Sequence, residues 1–336
     1  MLQQFNEHLP FPSRISPDVE GATRRQLPRA RAQGLLLSEE GEKRFLGWRL
    51  AELGARFHPQ ATGDDLDVGV AQLDFFFLFD DQFDGPDGQC PPKAIALARE
   101  LVDFVQRLPG GKPKTSSPLA HAFADMWQHS TKGMSPDWCG RAARDWVMYF
   151  NGCIAEAEER RHGNYIDFDA YMKFRETSIG VAPVVNLAER LGHRGEVPPR
   201  IMESSILQQM LSITKFVVIL DNDLDSLAKE APRGDKYNAV LSLQYCHEYS
   251  RHDAIVIIRD KLRQHIKRFI NLEAELPSLF DSLAATPSER EGTEAYITDG
   301  MCNCMRANHD WGKISDRYAA EAVVPLGAPQ YVDVLV

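Results

Sequence analysis

Long apolar runs are missing from this chain. Uninterrupted apolar stretches are short, as at Phe216–Leu220, far below the roughly 20 residues that a membrane-spanning helix needs, so no membrane span is expected. The first residues, MLQQFNEHLPFPSR, lack the basic start and apolar stretch of a secretory leader. Excess positive charge is missing as well: 38 Lys and Arg stand against 48 Asp and Glu, for a net charge of −10. Without a dense Lys/Arg cluster the chain has no phosphate-backbone surface to offer, so nucleic acid is not an expected partner. The six cysteines contain no Cys-x-x-Cys pair, and Cys302 and Cys304 have no Cys or His partner at zinc spacing. Reduced, buried thiols in a cytoplasmic protein are the expectation. The ten histidines form no metal pattern either; His247 and His252 are too far out of phase to share a helical face.

What the chain has is helical periodicity. Its 336 residues, 43% hydrophobic and 26% charged, are enough for a sizeable core. Apolar residues recur at steps of three and four, with no sustained period-two alternation that would indicate a sheet. Ser135-Pro136 and Thr286-Pro287 each place a capping residue before a proline at the first helical position. Breaks fall at 108–117, 192–199, 231–236 and 284–292, none of them like an inter-domain linker. The expected architecture is all-α: one helical domain over 1–336, with a proline-containing arm over about 1–30 and a non-helical tail over about 323–336.

Three polar constellations interrupt this pattern. In FFFLFDDQFDG, four phenylalanines run into Asp80, Asp81 and Asp84 at the end of a probable helix. Acidic side chains there oppose the macrodipole, and Asp80 and Asp84 repel each other at i,i+4. A hard cation relieves both penalties, and Mg²⁺ takes few protein carboxylates; a solvated acidic helix end is the competing reading. In VVILDNDLDSLAKE, Asn222, Ser226 and Glu230 follow one another at four-residue steps, so an amide oxygen, a hydroxyl and a carboxylate share one stripe. An EF-hand beginning at Asp221 fails, because its glycine position holds Ser226 and its bidentate glutamate position holds Pro232. Near the C-terminus Arg317 and Tyr318 stand side by side, two donors suited to a phosphate oxygen.

Together the three resemble the class I terpene synthases of bacterial type. Asp80-Asp81-x-x-Asp84 is similar to their aspartate-rich motif, and Asn222-Asp223-x-x-Ser226-x-x-x-Glu230 to their NSE triad. Asn308-x-x-Trp311 followed by Arg317-Tyr318 is similar to their Arg-Tyr signature. The interval between motifs, 222 − 80 = 142 residues, fits the family. Arg175, 222 − 175 = 47 residues ahead of the triad, stands where the family carries a diphosphate-sensing arginine, with Ser178 and Gly180 at the ensuing helix break. The resemblance implies a helical bundle around a deep apolar pocket, three Mg²⁺ ions and a linear prenyl diphosphate substrate. It implies Asp80, Asp84, Asn222, Ser226 and Glu230 as metal ligands, and Arg175, Lys229, Arg317 and Tyr318 as diphosphate binders.

Such chemistry has a physical logic of its own. An acidic chain holds a polyanion only when metal ions invert the local sign. Departure of the diphosphate then leaves an allylic cation, which needs a dry cavity and gains about 0.5–2 kcal/mol from each aromatic face. Phe76 and Phe77, one turn before Asp80, suit that role, and the resemblance adds Phe57 and Trp311 to the pocket; Phe75 and Phe79 read as core. Farnesyl diphosphate is the expected substrate and geranylgeranyl diphosphate the second, acted on by a monomer or homodimer. Two other functions compete: a chain-elongating prenyltransferase, which needs a second aspartate-rich motif and finds only DNDLD at 221–225, and a non-catalytic helical interaction protein.

Overall fold

The computed structural model describes residues 9–83, 92–107, 111–160, 162–318 and 335. Among them there is no strand. The α-helices are α1 (Val19–Ala32), α2 (Glu39–Gly47), α3 (Leu50–Phe57), α4 (Gly63–Asp81), α5 (Pro92–Gln106), α6 (Pro118–Thr131), α7 (Pro136–Arg160) and α8 (Phe168–Ser178). They continue as α9 (Val181–Gly192), α10 (Pro199–Met202), α11 (Ser205–Glu230), α12 (Ala239–Cys246), α13 (Arg251–Ser282), α14 (Pro287–Ala295) and α15 (Asn303–Gly312). A π-helical stretch, Tyr296–Cys302, joins α14 to α15, and a single tight turn at Asp316–Tyr318 follows.

The caps read from the sequence operate. Ser135 accepts from the Trp138 amide at 3.1 Å at the start of α7, and Thr286 with Glu289 forms a reciprocal capping box at α14. That box sets α14 going at Pro287, inside the break expected over 284–292.

The core is heavily aromatic. Phe75 lies 5.2 Å from Phe79, 4.9 Å from Phe123 and 5.8 Å from Trp146 between ring centres. Phe75 and Phe79 are fully buried there, as the sequence reading assigned them. Each ring pair adds about 0.5–1.5 kcal/mol beyond its buried area, which fixes α4 against α6 and α7 and so sets the position of the acidic end of α4.

The arm expected over about 1–30 is irregular only at its beginning. Residues 9–17 are extended, and α1 then starts at Val19 and runs through Pro28. Prolines suggested an irregular path, but tertiary ion pairs hold the helix: Arg25 with Asp18 and Asp67, and Arg29 with Asp74, each at 2.7–2.8 Å. The extended part crosses to the far end of the sequence, where Arg14 pairs with Asp299 at 2.6 Å and Ser13 donates to Asp310 at 2.5 Å. The tail expected over about 323–336 lies outside the described residues except for Leu335, which is buried and accepts from Ser117 Oγ at 2.7 Å. No described helix is long and apolar enough to cross a membrane. The described cysteines are free thiols; Cys153, Cys302 and Cys304 are buried, and Cys246 is exposed.

Candidate active site

Two helices end at one cavity. Asp80 is in the last turn of α4, and Glu230 is the last residue of α11. Both side chains line the same hollow, of about 1210 Å³ counting the part open to solvent at its mouth. Each helix thus brings its negative dipole end and a carboxylate to one place, an arrangement that calls for positive charge.

On the α4 side that charge comes from the protein. Arg317 donates to Asp80 at 3.0 Å and to Asp81 at 3.2 Å, and Arg44 donates to Asp81 at 3.1 Å. The Arg317 guanidinium also sits over the rings of Phe77 (4.9 Å) and Trp48 (5.0 Å), which holds the buried cation in place. Asp84 lies outside the described residues.

On the α11 side Glu230 accepts from the neutral Asn238 amide at 2.9 Å. Asn222, Ser226 and Glu230 form the stripe expected of their spacing. The Asn222 amide donates to the Tyr318 hydroxyl at 2.6 Å through its nitrogen, so its carbonyl oxygen is the atom that could take a cation. Ser226 Oγ is buried without a hydrogen-bond partner. Burial, with the negative charges of Asp235 and Asp223, pushes the Glu230 carboxyl up to about 8. An orphaned hydroxyl, an available amide oxygen and a carboxylate forced toward its neutral form together fit a hard divalent cation. Among the described residues no three His, Cys, Asp or Glu are grouped to hold an ion, so a cation here depends on the Asn and Ser oxygens.

The neighbouring acids face other work. Asp221 accepts from Asn308 and from the His309 ring, both at 2.9 Å, and so ties α11 to α15. Asp223 accepts from the Tyr171 hydroxyl at 2.8 Å and the Ala239 amide at 2.7 Å, and burial raises its carboxyl to about 6. Asp225 packs where a Cβ on Gly312 would stand 2.1 Å from its oxygen. The acids of DNDLD therefore meet α8, α12 and α15 rather than sharing one face.

Arg175 is anchored from below. Glu156 of α7 accepts from it at 3.2 Å, from Arg160 at 2.7 Å and from Ser178 Oγ at 2.5 Å. The two guanidinium groups hold the buried Glu156 carboxyl down at about 2. Ser178 ends α8, and Gly180 begins α9 at φ +74°; a Cβ there would also lie 2.9 Å from the Phe76 ring. Glycine is needed twice over, for the backbone angle and for the ring.

Aromatic rings share the lining with these polar groups. Phe57, Phe76, Phe77 and Trp311 all line the cavity. Phe76 stacks on Trp146 at 4.8 Å, Phe77 meets Trp311 edge-on at 5.2 Å, and the Trp311 indole donates to the Trp48 carbonyl at 2.7 Å. Lys229, Arg317 and Tyr318 line the cavity as well, with Arg317 over Phe77 and Tyr318 against Trp311.

Sequence comparison agrees with this geometry. A family model described as terpene synthase family 2, C-terminal metal binding, matches residues 73–268. The chain is 41% identical to a pentalenene synthase of Streptomyces arenae, with 100% of this chain and 98% of the relative covered. It is 35% identical to a (−)-β-caryophyllene synthase of Saccharothrix espanaensis, named as farnesyl diphosphate cyclizing, over 99% and 94% of the two chains. The chain belongs to the terpene synthase family. Among solved structures, linalool/nerolidol synthase from Streptomyces clavuligerus superimposes with a TM-score of 0.83 at 34% identity, over 90% of this chain and 99% of that one. An α-eudesmol synthase gives 0.85 at 25% identity, over 91% and 98%. The all-α fold and the assignment as a terpene cyclase, a lyase, therefore stand.

Several residues in this terpene synthase's cavity, and Glu156 behind it, carried no sequence signal. Glu156 and Arg160 form an i,i+4 pair inside AEAEERRHG, a charge run that reads as a solvated helix face. Tyr149 and Tyr237 also line the cavity. Their positions depend on how α7 and the α11–α12 connection fold against α8, which no local pattern records.

Proposed function

We propose that this terpene synthase ionises a linear prenyl diphosphate and cyclises the resulting carbocation to a terpene hydrocarbon or alcohol, with three Mg²⁺ ions as cofactor. One observation carries the reading: Asp80 of α4, Asn222 and Glu230 of α11 and the cations Arg175, Lys229 and Arg317 line one cavity together with the rings of Phe57, Phe76, Phe77 and Trp311.

Asp80 would hold metal from one side, and Asn222, Ser226 and Glu230 from the other. When bound, the ions supply positive charge that stabilises the departing diphosphate. Arg175, Lys229, Arg317 and Tyr318 bind the phosphate oxygens and orient the C–O bond, favouring the charge that develops as it breaks. Phe76, Phe77, Phe57 and Trp311 exclude water and face the cation left behind. The glycine break at 180 brings backbone against Phe76, so diphosphate binding at Arg175 and the aromatic wall share one short segment.

Farnesyl diphosphate is the favoured substrate, in keeping with the name of the caryophyllene relative, and geranylgeranyl diphosphate is the second. Incubation with Mg²⁺ and geranyl, farnesyl or geranylgeranyl diphosphate, each with and without isopentenyl diphosphate, tests the proposal. Volatile cyclic product from farnesyl diphosphate alone supports it. Product lengthened only with isopentenyl diphosphate, or no turnover at all, overturns it.

A further inference from the structure

Tyr237 stands between the tight turn at Ala231–Arg233 and α12. It is 6% exposed, and its phenol oxygen is buried without a hydrogen-bond partner. The neighbouring phenols are satisfied: Tyr171 donates to Asp223 at 2.8 Å, and Tyr318 accepts from Asn222 at 2.6 Å. Tyr237 lines the same cavity as Arg160, Arg175, Lys229 and Glu230. The Arg160 guanidinium lies over its ring, 5.2 Å from the centre, and Glu156 holds Arg160 and Arg175 together at 2.7 and 3.2 Å.

A buried hydroxyl left unpaired is costly and uncommon, and calls for a partner from outside the chain. The surroundings choose that partner. The hydrocarbon part of a substrate offers no acceptor, whereas a phosphate oxygen drawn in by Arg175 and Arg160 offers several. We propose that the Tyr237 hydroxyl donates a hydrogen bond to the substrate's diphosphate group, with Arg160 fixing the ring. The proposal rests on the reading of this cavity as a prenyl diphosphate site. Because the bonded oxygen is present before and after ionisation, the contact binds substrate and transition state about equally, and its loss falls on KM more than on kcat.

The test is Tyr237→Phe in the full chain, which removes one oxygen and keeps the ring. Three measurements are needed: melting of the metal-free protein, calorimetric binding of inorganic pyrophosphate with Mg²⁺, and steady-state kinetics with farnesyl diphosphate. Expected are an equal or higher metal-free melting temperature, pyrophosphate affinity weakened about five- to tenfold, and KM raised to match with kcat within about twofold. Unchanged pyrophosphate affinity and KM would overturn the proposal, as would weakened binding accompanied by a lower metal-free melting temperature, which marks a structural hydroxyl. Wild-type protein that binds pyrophosphate through Tyr237 but turns over no prenyl diphosphate sinks the cyclase reading and leaves this one standing.

Discussion

The two rims of the cavity solve one electrostatic problem in opposite ways. At the end of α4, Asp80 and Asp81 are balanced by Arg317 and Arg44. At the end of α11, Ser226 lacks a partner and the Glu230 carboxyl is pushed up to about 8. Asp80 is paired with a guanidinium although its side chain is 60% exposed, whereas the buried Glu230 accepts from the neutral Asn238 amide. On the proposed reading, bound metal would supply the charge balance of the α11 stripe, and Asp80 would give up part of its arginine contact to reach one.

The largest effect expected of breaking that contrast is at Glu230. Glu230→Gln removes the carboxylate but keeps the shape, and turnover should fall at least about 100-fold, since metal ligation supplies several kcal/mol of transition-state stabilisation. Product yield at saturating Mg²⁺ measures it; a rate within a few-fold of wild type contradicts the ligand assignment, and an unchanged melting temperature shows that the fold survived.

Glu156→Gln comes next and probes the ground beneath both rims. The Glu156 carboxyl is held at about 2 against an ordinary 4.5. Its depressed value contributes stability that is present above pH 4.5 and lost as pH falls toward 2. Wild type should therefore exceed the variant by about 3 kcal/mol at pH 6, with the gap closing below pH 3. Urea unfolding at the two pH values measures it, and a constant gap would mean that the Arg160 and Arg175 pairs do not set this acid limb.

Phe77→Ala sharpens the comparison in another way, because Phe77 lies under Arg317 and against Trp311. The product mixture should shift while pyrophosphate inhibition changes less than about fivefold, the cation–π contact being worth about 0.5–1 kcal/mol. An identical product profile would leave Phe77 as packing alone. Thr286→Ala, remote from both rims, should cost about 1 kcal/mol of stability through the lost capping box and leave activity per folded molecule untouched; thermal melting with a product assay calibrates the other variants.

Much of the site was legible because its chemistry is written at helical spacing. Asn222, Ser226 and Glu230 repeat every four residues, so any helix there aligns them; Asp80 follows four phenylalanines that had to be buried, which placed the acids at a helix end. Arg317 was less legible. The sequence suggests a phosphate donor, whereas the structure shows it first as the partner of Asp80 and Asp81, a contact between residues more than two hundred positions apart. Glu156 and Tyr237 were invisible for the same reason. The break between α12 and α13 also escaped notice, since Cys246–Ser250 contains no glycine or proline and Glu248 takes the left-handed conformation at φ 58°.

Helical class, the cap residues and the alignment of the α11 stripe were determined by the sequence alone, because each depends on neighbours within a few turns. Tertiary structure decided which charges meet. Whether Asp80 is balanced, whether Ser226 has a partner, and how far the Glu230 and Glu156 carboxyls move from their ordinary values depend on α4, α7, α11 and the Arg317 turn closing around one low-dielectric cavity, where a few ångströms set both the sign and the size of the interaction.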